Sequence, residues 1–135
     1  MTSSSFVDLT EFGTLSFTKY HDNTYVRLGM LWSGLGTATN TRVAFAARLT
    51  ATEGGDGYTP IDYVAGTALI YTANARVQVY CSTRMSGGVG GLPAGTYTIT
   101  YRWRRMAGAG NVISDTFDPM LIEVDEDFRE ISPGL

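Results

Sequence analysis

The sequence has very little of the side-chain chemistry on which most enzymes and metal proteins depend. Its 135 residues include one cysteine, Cys81, and one histidine, His21. A single cysteine excludes an internal disulfide framework and a zinc site built from cysteines. A catalytic arrangement of the Ser-His-Asp or Cys-His kind can exist only through His21, and no pattern brings Cys81 to it. We therefore expect no enzymatic activity and no resident cofactor.

Charge and long apolar runs are also scarce. Charged residues make up 17% of the chain and the net charge is −3. Because phosphate binding depends on clustered lysine and arginine, this balance argues against nucleic acid as a partner. The chain has no run of about 18 apolar residues, which predicts no insertion into a membrane. Residues 1–5 have neither the charged start nor the apolar middle of a signal peptide, so we expect no ordinary secretory signal.

Glycine, tyrosine and alternating patterns are abundant instead. The chain has 16 glycines and eight tyrosines, a composition typical of strands and tight turns. In residues 92–105 the large side chains of Tyr97, Ile99, Tyr101 and Trp103 alternate with threonine and arginine, as in a half-buried strand. Eight to ten segments of this kind, with no credible helix between them, predict one all-β domain. We expect an antiparallel β-sandwich of the jelly-roll type.

The chain divides into three parts on the same reasoning. Residues 1–12 form an N-terminal arm or edge strand, residues 13–127 the jelly-roll domain, and residues 128–135 a C-terminal tail. Within the domain, residues 33–41 are predicted to be a loop because they are rich in glycine and threonine. Residues 51–66 are predicted to be a long loop, of a kind that is often functional, with room for a short strand at residues 61–64. The closing strand at residues 120–124 has apolar residues on both faces, which predicts a central position in its sheet.

Three segments resemble a known family. Residues 15–27, LSFTKYHDNTYVR, resemble the opening of the jelly-roll domain that follows the collagen stalk in collagen-triple-helix-repeat-containing proteins. Residues 91–104, GLPAGTYTITYRWR, are similar to a strand of the trimeric jelly-roll domains of the complement/tumour-necrosis-factor type and of phage and bacterial fibre proteins. Residues 120–124, MLIEV, are similar to the closing strand of phage fibre domains. The chain departs from the family in two ways. It has no collagen stalk, which argues against a fibre-tip role, and it lacks the cysteines of the animal relatives apart from Cys81, which favours a phage or bacterial origin over an animal one.

The resemblance implies a homotrimer packed around a threefold axis. Tyrosine is enriched in protein interfaces, and several outward positions are tyrosine or leucine. The outward residues expected at the interface are Tyr20, Tyr25, Leu31, Tyr80, Arg102, Arg104 and Leu121, with a surface formed by Ala44 and Ala46. The alternative is a sandwich that covers these groups itself. The two arginines could instead pair with the acidic C-terminal end of the same or a neighbouring subunit. Some relatives hold calcium on the axis, but the acidic residues here match no calcium-loop spacing.

These features lead to a functional expectation of a non-enzymatic, homotrimeric protein on the virion surface of a tailed phage. It would be either a fibre or spike head that binds a glycan or protein of the host surface, or a capsid decoration protein attached through residues 1–12. Its partners would be itself, capsid or tail proteins and the host surface. The candidate ligand-binding residues, all in predicted loops, are Asn40, Asp56, Tyr58 and Tyr63, of which the tyrosines suit stacking on sugars.

Two other classes of function remain open. One is a bacterial extracellular lectin-like or collagen-associated binding module. The other is a small glycan hydrolase, which would need two carboxylates facing each other across a cleft. Asp56 and Asp62 are the pair that the sequence offers away from its acidic end.

Overall fold

The computed structural model describes residues 1–85, 91–114 and 118–127. Its regular structure there consists of nine strands and a single turn of 3-10 helix at Thr10–Phe12, which confirms the all-β prediction. The predicted tail, residues 128–135, lies outside the described residues. The strands are β1 (Val7–Asp8), β2 (Thr14–Lys19), β3 (Tyr25–Gly36), β4 (Thr41–Gly54), β5 (Asp62–Ile70), β6 (Arg76–Met85), β7 (Gly95–Ala107), β8 (Val112–Ile113) and β9 (Leu121–Asp127).

The strands form two antiparallel sheets, consistent with a β-sandwich. In the first sheet, β7 pairs with β4 on one side and with β1 and β2, end to end, on the other, and β5 pairs with the far side of β4. In the second sheet, β3 pairs with β6 on one side and with β8 and β9, end to end, on the other. Each strand therefore has one face toward the opposite sheet and one face outward.

Aromatic rings from both sheets fill the space between them. Trp32 of β3 lies 6.5 Å from Phe45 of β4 and 6.4 Å from Trp103 of β7, measured between ring centroids. Tyr97 and Tyr101 of β7 are fully buried, as the period-two pattern of this strand predicts. The Tyr101 hydroxyl donates a hydrogen bond to the Leu31 carbonyl across the sandwich, at 2.9 Å, so its polar end is satisfied in the core.

The two predicted loops are present but shorter than predicted, because the strands run further than composition indicates; the short strand predicted at residues 61–64 is the beginning of β5. β3 continues to Gly36, which leaves residues 37–40 as its connection to β4. β4 continues to Gly54 and β5 begins at Asp62, so the predicted long loop contains seven connecting residues, 55–61. Gly34 is a glycine inside a strand because a Cβ there would lie 2.7 Å from the Trp32 ring. Glycine in this strand makes room for a core side chain and does not mark a turn.

The predicted central position of the closing strand is wrong. Among the described residues β9 pairs with β3 alone, so it is an edge strand of the second sheet. Its inward side chain Ile122 is buried, whereas Leu121 is outward and 40% exposed. β9 therefore has apolar residues on both faces because its inward side chain is buried in the core and its outward one lies on an exposed face of the sandwich.

Candidate functional site

Three chain connections meet at one end of the sandwich and enclose a groove. They are residues 20–24 between β2 and β3, residues 55–61 between β4 and β5, and residues 91–94 before β7. Lys19 at the end of β2 and Gly54 at the end of β4 both pair with Gly95 at the start of β7. This register brings the three connections side by side.

Hydrogen bonds fix the walls of the groove. The Ala94 N–H donates to Asp22 Oδ1 at 2.8 Å, and the Gly55 N–H donates to the Ala94 carbonyl at 3.1 Å. Below them, the Tyr97 hydroxyl donates to the Pro93 carbonyl. Burial raises the pKa of Tyr97 to about 12, so this donor keeps its proton at neutral pH. The 91–94 connection is therefore held from the β2–β3 side, the β4–β5 side and the core.

The floor of the groove is bare backbone. Gly54 and Gly55 both have a φ of +70°, a conformation that favours glycine. A Cβ on Gly55 would lie 2.8 Å from the Ala51 side chain, and a Cβ on Gly54 would lie 3.1 Å from the Gly95 Cα. The close approach of β4 to β7 at this end thus requires residues without side chains.

The groove has a volume of about 470 Å³, within the range of small-molecule sites. Its polar side chains are two carboxylates, which accept hydrogen bonds, and one carboxamide, which both donates and accepts. The lining residues are Asp22, Asn23, Gly54, Gly55, Asp56, Pro93 and Ala94. Such a set can bind a polar, uncharged molecule through several hydrogen bonds.

A buried lysine and a glutamate hold the 20–24 connection. Lys19 is 1% exposed, and its ammonium donates to the His21 carbonyl. Burial lowers the pKa of Lys19, while the neighbouring charges of Glu126 and Asp22 act in the opposite direction. Glu126 accepts hydrogen bonds from the N–H groups of Tyr20, at 2.8 Å, and His21, at 3.0 Å, and from the Thr24 hydroxyl. Desolvation pushes the pKa of Glu126 upward, but these hydrogen bonds and Lys19 outweigh it and lower the pKa.

The predicted ligand-binding residues do not come together. Asp56 lines the groove. Asn40 lies before the first residue of β4, a strand of 14 residues, and is therefore roughly 40 Å from the groove end. Tyr58 is half buried with its ring edge-on to Tyr97 at 5.4 Å, and Tyr63 pairs with Ala47 and packs against the core. These positions argue against sugar stacking by either tyrosine.

The predicted interface residues lie on different surfaces. Tyr80 and Leu121 flank Leu31 in register on the outer face of the second sheet, and they are 54% and 40% exposed. Tyr25 lies on the same face under the Arg84 guanidinium, 4.8 Å from its ring centroid. Tyr20 is 74% exposed in the 20–24 connection.

The arginines on the first sheet bind other parts of the same chain. Arg102 donates to both carboxylate oxygens of Asp62, at 2.9 and 3.0 Å, to Asp8 and to the Phe6 carbonyl. Arg104 lies over the Phe6 ring at 5.2 Å. Among the residues that the structure describes, Arg102 therefore does not pair with the acidic end of the chain but ties the N-terminal segment and β5 to β7.

Ala44, Ala46 and Asp62 lie next to these arginines. Ala44 and Ala46, predicted to form an accessible surface, are 1% and 0% exposed and pair in register with Arg104 and Arg102. The surface prediction is wrong because the arginine side chains on the neighbouring strand are far larger than alanine. Asp62 is bound by Arg48 and Arg102, whereas Asp56 lines the groove, so the hydrolase pair is not brought to one cleft.

Within the residues that the structure describes, no group of three or more histidine, cysteine or acidic side chains is placed to hold a metal ion. No helix in that same part of the chain has the length and apolar character needed to cross a membrane. Neither family models, curated proteins nor solved structures gave a match to this chain.

Sequence reasoning found one polar groove residue, Asp56, and missed Asp22 and Asn23. Aspartate and asparagine between two strands are typical of a turn, in which their side chains accept hydrogen bonds from nearby backbone N–H groups. Asp22 does accept a hydrogen bond from a backbone N–H, but that N–H belongs to Ala94, which is 72 residues away in the sequence. A contact of that range has no signal in local composition.

Proposed function

We propose that this chain is a non-enzymatic, homotrimeric jelly-roll protein of a virion surface, of the kind that a tailed phage carries as a fibre or spike head. Its partners are two further copies of itself, tail or capsid proteins, and a glycan or protein of the bacterial surface. The observation that carries the proposal is the polar groove formed by three connections at one end of the sandwich. Exposed connections on a rigid β scaffold are a common way to present a binding site.

The order of strand pairing supports the jelly-roll part. The pairs are nested: β4 with β5, then β3 with β6, then β2 with β7. A long antiparallel hairpin rolled into two sheets gives this nesting, with the strands alternating between sheets on either side of the β4–β5 turn. A further nested pair would join β1 to β9. Instead, β1 pairs with β7.

The outer face of the second sheet supports the trimer. Leu31, Tyr80 and Leu121 form an apolar row across β6, β3 and β9. Ion pairs border it, Arg27 with Asp125 at 3.0 Å and Arg84 with Asp127 at 2.9 Å. An apolar centre with a charged rim is typical of a surface that binds another protein.

The position of residues 1–12 favours a host-binding head over capsid decoration. Phe6 and Asp8 are held by Arg102, and the Arg105 N–H donates to the Ser3 carbonyl at 2.8 Å. Using this segment as an attachment arm would first break these contacts. The alternative function, a bacterial lectin-like module outside any virus, would use the same groove and would differ in where the protein is displayed.

Binding assays with the whole chain test the proposal. Fluorescently labelled protein is expected to bind cells of particular bacterial strains, and free glycan from the same cells is expected to block that binding. Binding to phage capsids that is lost when residues 1–12 are deleted would replace the head by a decoration protein. If neither cells nor capsids are bound, the virion-surface proposal is refuted.

A further inference from the structure

We propose that the groove binds a neutral or amine-bearing saccharide and rejects acidic ones. This inference rests on the proposed host-surface function and names the chemical class of ligand at its site. It follows from the charges that line the groove and from the character of its floor.

The charges of the lining all have one sign. Asp22 and Asp56 contribute carboxylates, and the lining residues that the structure describes include no lysine or arginine. The cation nearest in the sequence, Lys19, is 1% exposed and gives its ammonium to the His21 carbonyl. A uronate, sialate or phosphate group would meet two negative charges there, with no exposed cation to pair with among the described lining residues.

The hydrogen-bonding groups that remain suit sugar hydroxyls. Asp22 uses Oδ1 to accept from the Ala94 N–H, which leaves its second oxygen available to a ligand. Asp56 is exposed and makes no hydrogen bond or ion pair with other described residues. Asn23 adds a carboxamide with two donors and an acceptor. Hydroxyl and ammonium groups donate to carboxylates, and such charge-assisted bonds are stronger than neutral ones.

The floor combines uncovered backbone with one apolar ring. Gly54 and Gly55 leave the backbone uncovered, and the Pro93 ring lies beside them. A sugar ring has a polar rim and a flatter C–H face, so it matches a floor of this type ringed by acceptors. The walls are already fixed by hydrogen bonds in the absence of ligand, which reduces the entropy lost on binding.

Calorimetry with three oligosaccharides of similar size tests the inference. The probes are the N-acetylglucosamine trimer, which is neutral, the glucosamine trimer, which bears amines, and the galacturonic acid trimer, which is anionic. The first two are expected to bind, and the third at least about tenfold more weakly. Equal or tighter binding of the anionic trimer overturns the inference, and so does a failure of all three to bind.

Variants assign the binding to the groove. Asp56→Asn and Asn23→Ala are each expected to weaken binding of the neutral trimer by about tenfold. Glu11→Gln is the matched control, because Glu11 is exposed and lies near the other end of β2. Unchanged affinity in both groove variants overturns the inference, and if cells are still bound, the proposed function stands without it. Saccharide binding as expected without any cell binding refutes the proposed function and leaves the groove assignment intact.

Discussion

Gly66→Ala is expected to destabilise the protein, because Gly66 faces Cys81 of the opposite sheet with no room for a side chain between them. Gly66 belongs to β5 in the first sheet and Cys81 to β6 in the second. A Cβ on Gly66 would lie 2.3 Å from the Cys81 sulfur and 2.6 Å from its Cβ, and 3.3 Å from the Phe45 ring. Because the Cys81 Cβ is attached directly to the backbone, a side-chain rotation cannot relieve the contact.

The size of the effect follows from this geometry. The sheets must separate locally by about 1 Å, and one extra methyl group in a packed interior costs about 1–3 kcal/mol. Replacing glycine by alanine lowers the conformational entropy of the unfolded state, which offsets about 0.4–1 kcal/mol of that cost. A net loss of about 1–2 kcal/mol should lower Tm by roughly 3–10 °C in a chain of this length.

The assay is urea unfolding of the wild type, Gly66→Ala, Cys81→Gly and the double variant. Cys81→Gly removes the atoms that the new methyl group meets, so it is expected to lessen the cost of Gly66→Ala by about 1 kcal/mol or more. If Gly66→Ala is as stable as the wild type, or if its cost is the same in both backgrounds, the packing of β5 on β6 is not as described.

Three further predictions concern hydrogen bonds and protonation. Tyr101→Phe removes the hydroxyl that donates to Leu31 and should cost about 1 kcal/mol in urea unfolding, with Tyr71→Phe, which is 70% exposed, as the neutral control. Asp62→Asn weakens the bidentate bonds from Arg48 and Arg102 and should cost about 1–3 kcal/mol; an unchanged midpoint would contradict a structural role for that cluster. Since the pKa of Glu126 is lowered in the folded state, its contribution is present above the unfolded pKa near 4.3 and is lost as pH falls through the folded value. Melts from pH 6 to pH 3 should therefore show a smaller acid loss in Glu126→Gln than in the wild type, and equal losses would refute this role.

The period-two patterns predicted the strands well, since burial of one face requires an apolar residue at every second position. Tyr97, Ile99 and Tyr101 are fully buried where alternation placed them. The errors occurred where glycine or alanine serves packing across strands. Gly34 accommodates Trp32, and Ala44 lies beside Arg104. From composition alone, Gly34 is assigned to a loop and Ala44 to an open surface.

The groove could be predicted only in part. Asp56 was found because it lies in a glycine-rich segment, but its neighbours in space come from residues 20–24 and 91–94. The register that joins Lys19 and Gly54 to Gly95 decides this neighbourhood. Such register depends on the pairing of whole strands, so no local pattern encodes it.

The mass of the protein in solution tests the proposed trimer most directly. Light scattering on a sizing column at micromolar concentration should give three times the 14.6 kDa of one chain. Leu121→Asp, at the β9 end of the exposed apolar row, should shift that species to single chains while leaving the fold intact. If a chelator dissociates the trimer, a cation on the threefold axis is part of the assembly. A single-chain mass for the wild type at this concentration would contradict the account.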